Sequence, residues 1–164
     1  MRSRDFILYI RNFIFGAEDS LVSTVGLLAG IVSAGVLQRE VIISGVVLIS
    51  VEAFSMSVGS FLSERTTEEF YSDFEEKQSK SLFAALIMFL SYLICGFIPL
   101  FPYFITTREQ AFWWSILASL LALFLLGLIS AKLLKTNIFK SAFRMMIIGG
   151  IAISLGVIVG MIIK

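Results

Sequence analysis

Five long apolar stretches, separated by short polar ones, dominate the hydrophobic pattern of this 164-residue chain. Each stretch is close to the roughly 20 residues that a helix needs to cross the hydrocarbon core of a bilayer. The connections between them carry charged residues, prolines or both, which are typical of helix ends. The pattern therefore predicts an all-α polytopic membrane protein with a single transmembrane domain, residues 1–164, whose spans cover about 21–37, 41–62, 82–101, 111–134 and 145–163.

Composition supports this class and excludes others. Apolar residues make up 58% of the sequence and charged residues 15%, whereas a soluble domain is usually nearer half apolar and a quarter charged. The net charge of +1 and the lack of a basic tract give no indication of a nucleic-acid partner. The sequence has no histidine, phosphate-binding loop, GxSxG motif or CxxC motif, so neither an enzyme nor a bound cofactor is predicted.

The distribution of positive charge predicts the orientation in the membrane. With five spans, ten of the 13 Lys and Arg residues fall on the side of the N-terminus, so the N-terminus is expected to be cytoplasmic. Trp113 and Trp114 then open the fourth span on the non-cytoplasmic side, where an aromatic belt is expected. Before the first span, residues 6–15 are expected to form a short amphipathic segment that lies at the interface.

Two carboxylates interrupt the apolar pattern in and beside the first two spans. Asp19 shares one helix face with Ser23, Gly26 and Gly30, and Glu52 lies near the middle of the second span. An acid at the centre of a membrane costs about 2.5–3.5 kcal/mol on insertion scales, so it is by default a hypothesis for a functional site. The alternative for Glu52 is structural: the side chain stays protonated and bonds a hydroxyl group of a neighbouring helix.

Met56 lies one helical turn after Glu52 and is either a core residue or a soft thioether ligand. A mixed set of oxygen and thioether ligands suits Fe²⁺ and tolerates Mn²⁺, whereas oxygen alone would suit Mg²⁺ or Ca²⁺. An incoming divalent cation displaces protons from its ligands, which gives a physical basis for metal–proton exchange.

A homodimer is expected, because one chain supplies too few ligands to enclose an ion. Two chains related by a twofold axis would double the number of ligands. Gly26 and Gly30 form a small-xxx-small pair that lets two membrane helices approach closely. We therefore predict that Gly26 and Gly30 pack the two copies together.

The connection between the second and third spans, residues 63–81, is rich in acids. Their spacing of three and four residues predicts a helix that continues from the second span and presents acidic faces. These acids are either a solvated surface or a vestibule that collects cations. They are Glu64, Glu68, Glu69, Asp73, Glu75 and Glu76.

Three motifs of the chain resemble those of the vacuolar iron transporter family, and the resemblance covers nearly the whole sequence. They are EDSLVSTVGLLAGIVSAG at 18–35, AFSMSVGSFLSE at 53–64 and GFIPLFPYF at 96–104. The resemblance implies a homodimer that exports ferrous iron, and sometimes manganese, from the cytosol in exchange for protons. It maps the family's first-span acid onto Asp19 and its second-span methionine onto Met56.

The chain departs from the family's pattern at three points. Ser60 stands where the family usually has a glutamate, and another family glutamate, two turns before the methionine, falls on Leu48. Glu52, one turn later on the same face, is expected to substitute for that second glutamate. The connection 63–81 is too short for the family's acidic metal-binding domain, whose expected remnants and candidate metal ligands are Glu64, Glu68 and Glu69.

The sequence thus predicts a membrane transporter that exports divalent transition metal, with the metal ion as substrate and the bilayer and a second copy as partners. Asp19 would bind the ion at the cytoplasmic end of the path, and Glu52 and Met56 at mid-membrane. The short form fits a prokaryotic cell membrane, with a vacuolar membrane as the alternative. The rival hypothesis is a non-transporting scaffold or sensor that binds metal through its acidic connection and needs neither Asp19 nor Glu52.

Overall fold

Helices make up almost all of the part of the chain that the structure describes. This computed structural model describes residues 3–70 and 78–164, without the side chains of residues 3, 4, 68–70, 78 and 79. The helices are α1 (Ser3–Ser33), α2 (Gln38–Phe70), α3 (Gln78–Leu100), α4 (Pro102–Ile105), α5 (Arg108–Leu134) and α6 (Ile138–Ile163). Within these ranges, five helices are long and apolar enough to cross a membrane, which confirms the predicted all-α class with five spans.

The first helix differs from the predicted span at both ends. It begins at Ser3 and therefore includes residues 6–15. The sequence predicted that these residues form a short amphipathic segment at the interface before the span, whereas they belong to the same helix as the span. Gly16 does not interrupt the helix; it is buried against α3, where a Cβ would overlap the carbonyl oxygen of Met88. The helix ends at Ser33 because Gly35 adopts a φ of 86°, a left-handed conformation that commonly closes a helix.

The later helix ends follow from local sequence. Pro99 lies in the last turn of α3, and Pro102 opens α4, where a missing N–H group costs nothing. Lys135 adopts the left-handed conformation after α5. The side chain of Asn137 then caps α6 by accepting a hydrogen bond from the backbone N–H of Lys140.

Two side chains tie the α1–α2 turn to the connection between α3 and α5. Gln38 Nε2 donates to the carbonyl oxygens of Tyr103 and Thr106, at 2.6 and 2.8 Å. Arg108 donates to the carbonyl oxygen of Gly35 at 3.1 Å and to that of Val36 at 3.0 Å. These bonds satisfy carbonyl groups that the helix ends leave without partners, and they fix this end of the bundle.

α1 lies at the centre of the bundle. It packs against α3, α6, α5 and α2, and it is the most buried of the five candidate spans, whereas α6 is the least buried. α2 packs mainly on α3 and makes less contact with α1. The third helix therefore sets the relative position of α1 and α2, which carry the two predicted intramembrane acids.

Gly26 and Gly30 face α6 of the same chain. A Cβ on Gly156 would overlap the carbonyl oxygen of Gly26, and a Cβ on Gly160 would overlap that of Gly30. The two small-xxx-small pairs thus pack on each other, which brings the helix backbones into contact. The contact predicted between two copies is therefore an intrachain contact, because the C-terminal helix supplies the matching pair.

Candidate functional site

Asp19 and Glu52 lie at the same level of the bundle. Asp19 lies 14 residues before the end of α1 at Ser33, and Glu52 lies 14 residues after the start of α2 at Gln38. At a rise of 1.5 Å per residue, each is about 21 Å from the turn that joins the two helices. Both are half-buried and interact electrostatically. The prediction placed Asp19 at one end of the path, whereas the longer α1 puts it level with Glu52.

Tyr92 of α3 connects the two helices that carry these acids. Its hydroxyl group donates a hydrogen bond to Oε2 of Glu52 and lies 2.7 Å from the hydroxyl group of Ser23. A phenol has a single proton to donate, so the Tyr92 oxygen accepts from Ser23 while it donates to Glu52. Since Ser23 lies one turn after Asp19, the hydrogen bonds run from α1 through α3 to α2.

The hydrophobic pattern alone does not single out Tyr92. Its side chain is fully buried, and its carbonyl oxygen accepts a 2.6 Å hydrogen bond from Ser20. One signal could have found it: the structural alternative for Glu52 needs a hydroxyl group on a neighbouring helix, and Tyr92 supplies that group from the middle of α3. The hydrogen bond between Glu52 and a hydroxyl group, which the structural alternative requires, is therefore present. It lies beside the pair of carboxylates, Asp19 and Glu52, that the functional hypothesis requires.

Glu18, directly before Asp19 in α1, is an acid to which the sequence pattern assigns no role. Consecutive helical residues point about 100° apart, so Glu18 and Asp19 lie on different faces. Glu18 interacts electrostatically with Arg144 of α6 as well as with Asp19. Glu18 thus faces a basic residue, whereas Asp19 faces the acid Glu52.

A groove of about 640 Å³ opens beside Met56, between the N-terminal half of α1 and the C-terminal half of α2. Ser60 donates a hydrogen bond to Asn12 between these helices. At Gly59 no atom of the described residues lies within 4 Å of the position that a Cβ would take, so the groove stays open there. Because Met56 is one turn from Glu52, the groove leads towards the level of the acids. Its lining consists of Arg11, Asn12, Phe15, Ser55, Met56, Gly59, Ser60, Ser63, Glu64 and Met88.

Glu64 forms an ion pair with Arg11 at the end of this groove. The Glu64 side chain is 18% exposed and that of Arg11 is 65% exposed, so the acid is the covered member of the pair. α2 continues through Glu68 and Glu69, as the sequence predicts. The side chains of Glu68 and Glu69, and the acids within residues 71–77, lie outside the described residues.

The described part of one chain does not by itself enclose a metal ion. In the part of the chain that the structure describes, no three Asp, Glu or Cys side chains gather around one point. Asp19 and Glu52 supply carboxylate oxygens, and Met56 supplies a thioether one turn away. Since a Mn²⁺ site is typically octahedral, these three ligands leave positions for water, hydroxyl groups or a second copy.

The fold and the site define an integral membrane protein with an acidic pair between the helices of its bundle. The model of the VIT family matches residues 10–83 and 72–161 of the chain. The chain therefore belongs to the VIT family. The two matched segments overlap at residues 72–83, which lie between α2 and the first turns of α3.

Two plant proteins are similar to the chain over most of its length. Vacuolar iron transporter 1 of Tulipa gesneriana is 24% identical over 203 aligned positions, which cover 87% of this chain and 82% of the tulip protein. Vacuolar iron transporter 1 of Oryza sativa subsp. japonica is 23% identical, with 87% and 81% covered. Because these alignments are longer than the 164 residues of the chain, the plant proteins carry additional residues between the aligned ends.

Proposed function

We propose that this chain transports divalent transition metal, ferrous iron first and manganese second, out of the cytoplasm in exchange for protons. Membership of the VIT family supports metal-ion transport, and the two plant relatives are named as iron transporters. The observation that carries the proposal is the acid pair, Asp19 and Glu52, at one level between apolar helices. Two acids that face each other in this setting need a cation or protons to offset their charge.

The proposed route starts at the groove beside Met56. Glu64 and Arg11 lie at its mouth, and the thioether of Met56 is the first ligand inside it. One turn closer to the start of α2, the ion reaches the carboxylates of Glu52 and Asp19. Because the groove opens on the side of the N-terminus, the predicted cytoplasmic side, this direction is outward.

The acid pair gives the proposed coupling to protons. A bound divalent cation offsets the charge of both carboxylates, and protons do the same once the ion has left. The site then alternates between a metal-bound form and a protonated form. Two protons balance one divalent ion in charge, so the exchange need not move net charge across the membrane.

A second copy completes the proposed site. The two carboxylates and the thioether of one chain are fewer than the ligands of an octahedral ion. We place the second copy at the groove face of α2, where Gly59 leaves the backbone exposed. The face formed by Gly26 and Gly30 cannot receive it, because α6 covers that face.

Anaerobic uptake of Fe²⁺ into proteoliposomes that hold the purified protein tests the proposal. An acidic vesicle interior should drive uptake, and a protonophore should abolish the gradient-driven part. Mn²⁺ should be taken up as well, and Mg²⁺ should not. Glu109→Gln is the matched control, because Glu109 is an exposed acid in the first turn of α5 and should transport like the unmodified protein.

A scaffold or sensor gives the opposite result. Fe²⁺ would then bind to the folded protein without entering the vesicles. Binding would survive the replacement of Asp19 and Glu52, and it would be lost when Glu64, Glu68 and Glu69 are changed to Gln. For the location we propose a prokaryotic cell membrane; a vacuolar membrane, as in the names of the plant relatives, is the alternative.

A further inference from the structure

The contacts of Tyr92 bear on the ion selectivity of the proposed metal site, and the inference drawn from them rests on the proposed function. We propose that Tyr92 is a specificity-determining residue. By donating a hydrogen bond to one oxygen of the Glu52 carboxylate, it favours binding of the transported ion through the other oxygen alone, which disfavours Ca²⁺ relative to transition metals.

The hydrogen bond from Tyr92 makes the two oxygens of Glu52 unequal as ligands for a metal ion. The Tyr92 hydroxyl group donates to Oε2 of Glu52 and accepts from Ser23 at 2.7 Å. Oε1 keeps both of its lone pairs for an ion, whereas Oε2 shares its lone pairs with the Tyr92 proton, so binding through both oxygens is disfavoured. If the Tyr92 proton turned to Ser23 instead, the Ser23 hydroxyl would lose its own acceptor in this buried setting.

Tyr92 cannot move away when an ion arrives. Its side chain is fully buried, and its carbonyl oxygen is held by Ser20 at 2.6 Å. At Gly96, one turn later, a Cβ would come within 2.6 Å of Ser20 Oγ on α1 and within 2.8 Å of Ile49 on α2. Because α3 lies this close to both helices, the hydroxyl group stays at Glu52.

One-oxygen binding affects Ca²⁺ and Fe²⁺ differently. Ca²⁺ takes six to eight oxygen ligands and often uses both oxygens of one carboxylate. A transition metal accepts softer ligands, so the sulfur of Met56 can serve it but is a poor ligand for Ca²⁺. Weakening one Glu52 oxygen as a ligand therefore costs Ca²⁺ more than it costs Fe²⁺.

Tyr92→Phe tests this inference, because it removes the hydroxyl group and keeps the ring. The measurement is Fe²⁺ uptake into proteoliposomes with Ca²⁺ as competitor. We expect the Ca²⁺ concentration that halves uptake to fall by about tenfold, and the KM for Fe²⁺ to rise by about tenfold or more, as when a hydrogen bond to a metal ligand is lost. Tyr103→Phe, at a second fully buried tyrosine on α4, should change neither value.

Ser23→Ala separates selectivity from folding. It keeps Tyr92 and removes the bond that orients its hydroxyl group, so Ca²⁺ should compete more strongly, by a smaller factor. If Tyr92→Phe does not fold, this variant decides the question. Fe²⁺ uptake with unchanged resistance to Ca²⁺ in the variants would overturn the inference and leave the proposed function standing. Absence of Fe²⁺ uptake by the unmodified protein would overturn both.

Discussion

Asp19 on α1 and Glu52 on α2 lie at the same level of the bundle, each 14 residues from the turn that joins the two helices, and they interact electrostatically. Neither helix sets this arrangement alone, because α3 packs on both and determines how they lie relative to each other. Acids in such a position are tolerated when a cation or protons offset their charge. This relationship leads to the first prediction.

Changing either acid to its amide is expected to preserve the fold or make it more stable. Asp19→Asn and Glu52→Gln keep the shape of the side chain and remove a charge whose burial costs about 2.5–3.5 kcal/mol at mid-membrane. The Gln side chain also keeps an oxygen that can accept from Tyr92. Thermal unfolding in detergent should occur at or above the temperature of the unmodified protein. A clear drop in both variants would show that the acids hold the bundle together.

Gly156→Ala is expected to destabilise the bundle. The added Cβ would overlap the carbonyl oxygen of Gly26, and overpacking of this kind costs about 1–3 kcal/mol. Gly150→Ala is the matched control on the same helix, because no atom of the part of the chain that the structure describes lies within 4 Å of a Cβ there. Thermal unfolding should separate the two variants, with Gly150→Ala unchanged or more stable. Equal stability would contradict the close α1–α6 packing.

Gly59→Leu is expected to lower Fe²⁺ uptake without lowering stability. Gly59 lines the groove beside Met56, and its surroundings leave room for a side chain within one chain. A leucine there fills the proposed route and the surface proposed for the second copy. Gly150→Leu adds the same bulk on α6 and should transport normally. If Gly59→Leu and Gly150→Leu have the same uptake rate, the groove is not the route.

The ion pair between Arg11 and Glu64 is expected to tune the apparent affinity for metal. Arg11→Gln leaves the Glu64 charge uncompensated at the mouth of the groove and should lower the KM for Fe²⁺, whereas Glu64→Gln should raise it. An exposed pair is worth about 0.2–1 kcal/mol, so changes of up to about fivefold are expected, and they should shrink in high salt. The double variant should lie between the two single variants. Unchanged KM values would remove these residues from the route.

Tyr103 is expected to make the protein less stable at alkaline pH. Burial raises the pKa of Tyr103 to about 12, above the value of about 10 for an exposed tyrosine. Below pH 10 the neutral side chain is favoured in both states; between pH 10 and 12 the unfolded chain loses a proton that the folded chain keeps, so stability falls. Tyr103→Phe should show a smaller fall over this window in thermal unfolding. An identical fall would mean that other groups cause it.

The all-α fold with five spans and the presence of two acids among those spans could be predicted, because they depend on local pattern. The level of Asp19 in the bundle could not, because it depends on where α1 begins. Apolar stretches of bilayer length specify spans, and acids within or beside such stretches, as at Asp19 and Glu52, stand out against them. The end of α1 is harder to predict, because Gly16 and Gly35 are both glycines with apolar neighbours and a polar residue two positions away. Gly35 adopts the left-handed conformation that ends the helix, whereas Gly16 serves close packing on α3.

The partners of the site residues could not be predicted, because they come from helices far away in the sequence. A small-xxx-small pair shows that some helix approaches closely, but not that α6 rather than a second copy covers Gly26 and Gly30. The same holds for the bond of Tyr92 to Glu52 and for the ion pair of Arg11 with Glu64. Each of these contacts depends on how two helices pack together within the bundle, which no local pattern contains.

Anaerobic Fe²⁺ uptake into proteoliposomes by Asp19→Asn, beside the unmodified protein and Glu109→Gln, tests the central claim most directly. The proposed site predicts rapid uptake by the unmodified protein and the control. It predicts no uptake above that of empty vesicles by Asp19→Asn, although this variant unfolds at the normal temperature or above. Uptake by folded Asp19→Asn at the unmodified rate would contradict the claim that the metal ion passes between Asp19 and Glu52.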